Sequence, residues 1–136
     1  MRRMTDHCPC GSGRPLGGCC GPLLAAERLA ATAEELMRSR YTAYVLGDRE
    51  HLWRTWDPRT RPEEPYLGED RWTGLRVREV VDGGPDDDCG VVDFVASYAG
   101  GQLAERSRFT RRAGRWFYTG AEDAEDGEDR AHDALR

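Results

Sequence analysis

Gln102-Leu103-Ala104-Glu105-Arg106-Ser107-Arg108-Phe109-Thr110-Arg111 is the stretch whose reading decides the fold. Alternate side chains of a strand point to opposite faces, so Leu103, Glu105, Ser107 and Phe109 share one face, and Ala104, Arg106, Arg108 and Thr110 the other. The first set is the better inner face, and it places a carboxylate beside apolar neighbours. Strand-like runs also occupy 72–81, 90–99 and 114–120, punctuated by Gly83-Gly84-Pro85, Gly100-Gly101 and Ala113-Gly114. The pattern predicts a meander of about four antiparallel strands.

What precedes this meander is helical. Pro22 to Ala26 begins a short Ala-rich helix, and Thr32-Ala33-Glu34-Glu35 is a capping box: Thr32 caps the first turn and Glu35 reaches back. Gly47 supplies the left-handed stop, so the spacing predicts a helix over 33–46. At 100° steps Ala33, Leu36, Met37, Tyr41 and Tyr44 form one face with Arg40 in its middle, while Arg38 and Thr42 point away. Asp48 caps a further short helix over 49–56 with Leu52, Trp53 and Trp56 as its apolar residues, and 59–70 reads as a loop after Pro58. Helices followed by strands imply an α+β fold, with the concave face of a curved sheet wrapped on the helices. Arg40 and Glu105 then lie on faces that must meet, and a buried guanidinium needs a partner, so the two are expected to form an ion pair.

The start of the chain reads Cys8-Pro9-Cys10-Gly11-Ser12-Gly13-Arg14-Pro15-Leu16-Gly17-Gly18-Cys19-Cys20. Four thiols in two close pairs suit a tetrahedral zinc ion, with Gly11, Gly13, Gly17 and Gly18 supplying the turns. In so small a module the metal provides most of the folding free energy. His7 remains open as a replacement for one thiolate, because adjacent Cys19 and Cys20 on one metal are geometrically awkward. With all four positions filled by protein, the ion is structural and has no place for a reactive water. Gly11-x-Gly13 follows no strand and is not a phosphate loop. Cys89 stands apart and reads as a small core or edge residue.

The chain has 136 residues, of which 38% are hydrophobic, enough for one compact domain and a small appendage. No run is long and apolar enough for a membrane span or signal peptide, so a cytoplasmic protein with no membrane partner is expected. All twenty basic residues are arginine. The net charge of -5 owes much to Glu122, Asp123, Glu125, Asp126, Glu128 and Asp129. The organisation expected is a zinc motif over 1–22, an α+β domain over 23–120 and an acidic, disordered tail over 121–136.

The cysteine spacing resembles the SEC-C motif of the preprotein-translocase ATPase SecA: Cys-x-Cys, eight residues, then Cys-Cys or Cys-His. It departs from that motif in having Pro15-Leu16-Gly17-Gly18 where basic and aromatic residues are usual. From Cys8 to Gly120 the sequence resembles the YchJ family of bacterial proteins. The resemblance rests on Leu36-Met37-Arg38-Ser39-Arg40-Tyr41, Thr55-Trp56-Asp57-Pro58, Trp72-Thr73-Gly74-Leu75, Val95-Ala96-Ser97-Tyr98, Glu105-Arg106-Ser107-Arg108-Phe109 and Gly114-Arg115-Trp116-Phe117-Tyr118. It implies a SEC-C motif followed by a domain similar to nuclear transport factor 2, a cone of curved sheet closed by helices around a pocket.

That fold hosts isomerases, dehydratases and plain binders, so activity must be read from the site. Arg40, Tyr41, Tyr44, Trp56, Asp57, Glu105 and Ser107 are the pocket candidates, and no catalytic set is assigned. The favoured expectation is a binding module whose zinc knuckle docks a protein or ribosomal partner and whose cone supplies a second surface or holds a small ligand. The alternatives are an enzyme of isomerase, dehydratase or hydrolase type, with Glu105 or Asp57 as base, and a ribosome- or RNA-associated protein using Arg106, Arg108, Arg111, Arg112 and Arg115. His51 reads as a surface residue, and a homodimer through exposed sheets stays open.

Overall fold

The computed structural model describes residues 3–122. The expectation for the acidic tail therefore lies, from residue 123 onward, outside the described residues.

Three helices precede four strands: α1 (Gly21–Leu24), α2 (Ala33–Leu46), α3 (Arg49–Arg54), β1 (Trp72–Asp82), β2 (Cys89–Tyr98), β3 (Gly101–Arg112) and β4 (Arg115–Ala121). The strands form one antiparallel sheet in the order β1-β2-β3-β4. Register shifts between Trp72 and Gly74, between Val77 and Glu79, and between Arg108 and Phe109 bend and twist it, as extra residues on one side of a ladder do. This is the α+β architecture expected, with the sheet folded over α2.

The boundaries of α2 follow from its caps. Thr32 Oγ1 accepts from the Glu35 amide, and Gly47 takes the left-handed conformation (φ 77°) that ends the helix. Its inner face buries Ala33, Leu36, Met37, Arg40, Tyr41 and Tyr44 against Val92, Phe94, Ala96, Leu103, Phe109, Trp116 and Tyr118. Each large apolar side chain so buried contributes about 1.5–3 kcal/mol. β3 keeps the alternation read from its sequence: Leu103, Glu105, Ser107 and Phe109 are buried while Gln102, Ala104 and Arg108 are exposed. Edge-on aromatic pairs add to this packing, Trp56 with Tyr118 of β4 at 5.2 Å and, within the sheet, Trp72 of β1 with Tyr98 of β2 at 5.4 Å.

The β1–β2 turn reaches the start of α2. Gly83 has φ 81°, its carbonyl accepts from the Ala33 amide at 2.9 Å, and a Cβ there would lie 2.8 Å from that of Ala33. A side chain at this position would be strained and would also push the turn off the helix.

Three expectations are corrected and one is narrowed. Thr42 is fully buried rather than directed to solvent, because the N-terminal knuckle packs on the far face of α2. His51 is a core residue, not a surface one. Of the two places read for Cys89, core or edge, the core is ruled out, because it is exposed at the start of β2. At the other end β4 continues to Ala121, which is buried opposite Ser107, and Glu122 is held by Arg106 through both its amide and its carboxylate. The body therefore extends past residue 120.

Candidate functional site

The knuckle is a small irregular hairpin. Cys8 donates its amide to the Arg14 carbonyl, Leu16 to Asp6 and Gly17 to Met4, and a 3-10 turn over Leu16–Gly18 delivers Cys19 and Cys20. Gly11 and Gly13 adopt the left-handed backbone expected of turn glycines, whereas Gly17 and Gly18 do not. The sulfurs of Cys8, Cys10, Cys19 and Cys20 all lie within 4.8 Å of one another, and all four residues are buried. Cys10 and Cys19 are 3.6 Å apart, and Cys19 and Cys20 4.0 Å. The edge of a tetrahedron with a 2.3 Å metal–sulfur bond is roughly 3.8 Å, so the four could hold one metal ion with little movement. His7 is exposed and bridges Pro15, outside the converging set.

The donor set itself calls for a cation. Hydrogen bonds from Cys10 and then Cys20 draw Cys8 far below the usual thiol range, while hydrogen bonding to Cys10 and Cys8, together with burial, pushes Cys20 far above it. Left to themselves the thiols cannot all ionise; a divalent ion lets them do so together.

The knuckle is fastened to the body by α2. Arg38 Nη1 donates to the Cys10 carbonyl at 2.7 Å while its Nε holds Glu34, and Thr42 Oγ1 sits 3.7 Å from Cys8 Sγ. Beside this junction runs a cleft of about 420 Å³, walled by Ser12, Arg14 and Cys19 of the knuckle and by Thr32, Glu34 and Arg38 at the start of the helix.

The cone interior is much smaller, about 20 Å³. Five of the seven pocket candidates line it: Arg40, Tyr41, Tyr44, Glu105 and Ser107. Arg40 and Glu105 are both buried there, but the expected ion pair is not among the ion pairs of the described residues. Arg40 Nη1 instead donates to the Leu52 carbonyl (2.9 Å) and to Thr55 Oγ1 (2.7 Å), and its guanidinium lies over Trp56 and Tyr118. Glu105 Oε2 accepts from Ser107 (2.6 Å) and from the Tyr118 hydroxyl (2.8 Å). Tyr118 thus stands between the two charges, its ring toward one and its hydroxyl toward the other. Sequence reasoning did not single it out, although inward alternation with Trp116 on β4 marks it.

Trp56 reaches the interior through its contact with Arg40, and Asp57 does not line it. Asp57 is clamped by Arg59 and by Arg112 at 3.1 Å, and accepts from the Arg59 amide. Burial opposes its ionisation, but the bonds from Arg112 and Arg59 outweigh that and hold the carboxyl well below the usual range. A carboxylate so engaged is a structural anchor, not a base. His51 is likewise committed. Ser39 Oγ donates to the Leu36 carbonyl, so it accepts from His51 Nε2–H at 2.9 Å, and Nδ1 accepts from Arg54. Burial, with Arg40 and Arg54 nearby, lowers its pKa to about 3 and keeps the ring neutral. Among the outer-face arginines, Arg106 binds Glu79, Asp93 and Glu122, Arg111 binds Asp88 and the Pro85 carbonyl, and Arg112 binds Asp57.

The model of the YchJ middle domain, NTF2-like, matches residues 32–121. The chain belongs to the YchJ family. A UPF0225 protein of Streptomyces coelicolor is 49% identical over 119 residues, covering 87% of this chain and 96% of its own. A UPF0225 protein of Chromobacterium violaceum is 48% identical, over 82% of this chain and 88% of its own. The solution structure of a SEC-C motif containing protein from Rhodopseudomonas palustris superposes with a TM-score of 0.76 at 38% identity, covering 86% of this chain and 98% of the other. A crystal structure of a SEC-C motif containing protein from Psychrobacter arcticus gives 0.69 at 25% identity, over 85% and 81%. The YchJ domain thus comprises α2, α3 and the sheet, and the cysteine cluster precedes it. No described helix is long and apolar enough to cross a membrane.

Proposed function

We propose that this YchJ-family chain is a binding module, in which a zinc ion held by Cys8, Cys10, Cys19 and Cys20 stiffens a knuckle that docks a protein partner. One observation carries the reading: a roomy concavity, about 420 Å³, lies between knuckle and helix, while the cone interior offers only about 20 Å³. The cleft has the makings of a protein-binding surface, with Leu23 and Ala31 as apolar floor and Arg14, Glu34, Glu35 and Arg38 around them. Four thiolates at tetrahedral spacing favour zinc, and reduced cysteines of this kind belong to a cytoplasmic protein. The enzyme reading has less support, because Asp57 and His51 are both engaged and the ligand set leaves the metal no open position. Nucleic-acid binding also has less, since Arg106, Arg111 and Arg112 already meet acidic partners.

Metal analysis of the purified chain tests the first half: one zinc per chain is expected, and Cys20→Ser retaining full zinc content overturns the ligand set. The second half is tested by capturing cytosolic proteins on the immobilised chain and on an Ala31→Arg variant, which blocks the cleft while keeping its backbone bonds to Glu35 and Trp116. A partner lost with Ala31→Arg and with chelator supports docking at the knuckle. A partner held equally by both proteins refutes it.

A further inference from the structure

Three polar atoms on the concave side of the sheet have no hydrogen-bond partner among the described residues: Arg40 Nη2, Tyr44 Oη and Glu105 Oε1. All belong to side chains that line the interior cavity, and these residues are only 5%, 6% and 6% exposed. The two other unpaired atoms, Trp72 Nε1 and Thr110 Oγ1, belong to residues that do not line it. Unpaired buried polar atoms are rare in folded proteins, and three around one void point to an occupant.

The chemistry of the three atoms defines that occupant. A guanidinium nitrogen can only donate, an ionised carboxylate oxygen can only accept, and a phenol hydroxyl does either. Burial raises the Tyr44 pKa above its usual value, with Glu105 adding to the effect and Arg40 opposing it, so the hydroxyl keeps its proton. The occupant must accept from Arg40 and donate to Glu105 at the same time. It must also be neutral, because the guanidinium and carboxylate charges already cancel. A volume of about 20 Å³ holds one water-sized molecule, which needs roughly 10–15 Å³, and excludes anything much larger.

We propose that the cone interior is a binding site for a single water-sized molecule, donor and acceptor at once, that bridges Arg40 Nη2, Glu105 Oε1 and Tyr44 Oη. The two buried charges, which make no direct pair, are then linked along two routes: through this molecule on one side and through Tyr118 on the other. At about 20 Å³ the space has no room for a molecule of substrate size, and Met37, Phe94 and Phe109 line it beside the polar groups.

A crystal structure of the full chain at a resolution that reveals ordered water, paired with ¹⁷O relaxation dispersion in solution, tests the inference. The expected result is a density peak within hydrogen-bonding distance of all three atoms and a long-lived water signal. Tyr44→Phe removes one of its partners while keeping the ring, and should shorten the residence time about tenfold. A cavity without density, a direct contact between Arg40 Nη2 and Glu105 Oε1, or a long-lived signal unchanged by Tyr44→Phe would overturn it. The crystal and the wild-type relaxation data decide the matter even if the variant fails to fold.

Discussion

Acid should destabilise this protein through His51 well before its carboxylates titrate. The imidazole is 2% exposed, donates to Ser39 and accepts from Arg54, and its pKa is lowered from 6.5 to about 3. A folded-state pKa below the unfolded value means that the unfolded chain binds the proton first. The stability contributed is complete above about pH 6.5 and falls as the pH drops below it, levelling only near pH 3. At pH 5 the loss is RT ln(1 + 10^1.5), about 2 kcal/mol, a figure set almost wholly by the unfolded pKa and hardly by the folded one. The assay is urea denaturation at pH 8 and pH 5 of the wild type and of His51→Gln, whose amide can donate to Ser39 but does not titrate. Thiol and carboxylate effects are common to both proteins, so the difference between them isolates His51. The wild type should lose about 2 kcal/mol more than the variant over this interval. Equal losses, or a His51 resonance titrating near pH 6.5, would refute the reasoning.

Removing the metal with a chelator should lower the melting temperature while leaving the far-ultraviolet signature of the sheet, because the strands pair without the knuckle; loss of the strand signal would contradict this. Arg38→Ala breaks the bond to the Cys10 carbonyl at a half-buried position and should cost about 1 kcal/mol and speed metal release to a chromophoric chelator, without changing the metal content at saturation. Truncation after Glu122 should leave the melting temperature unchanged. Truncation after Gly120 removes buried Ala121 and the Glu122–Arg106 bonds, and should cost about 1–2 kcal/mol, a shift of several degrees by calorimetry. Asp57→Asn leaves Arg112 and Arg59 without their carboxylate. Since the pKa of Asp57 is held low, its contribution is present above about pH 4 and lost below it, so the variant should melt lower than wild type at pH 7 and converge with it in acid.

Some features of the chain were legible because they depend on near neighbours in sequence. The four cysteines sit in two tight turns, so their spacing alone brings the sulfurs together. The limits of α2 come from Thr32, Glu35 and Gly47, each acting within one turn of the helix end. The inner face of β3 comes from two-residue alternation, which any strand with one buried side obeys. Arg40 and Glu105 could be assigned to the interior on the same grounds.

What periodicity cannot report is whether a second layer covers the remaining face. Thr42 and Arg38 look outward on a helical wheel, yet the knuckle returns across some thirty residues of sequence to pack on them. His51 lies on a helix of six residues, too short for a readable stripe, and its burial follows from the approach of Ser39. Nor does a shared interior fix which groups touch: Arg40 reaches back to Leu52 and Thr55, Glu105 leans to Ser107, and the Tyr118 side chain fills the space between. Local sequence determined the elements, their caps and the cysteine cluster that could hold a metal ion. Only the tertiary structure decided who meets whom across the layers, because those contacts depend on volumes and approach angles contributed by residues far apart in the chain.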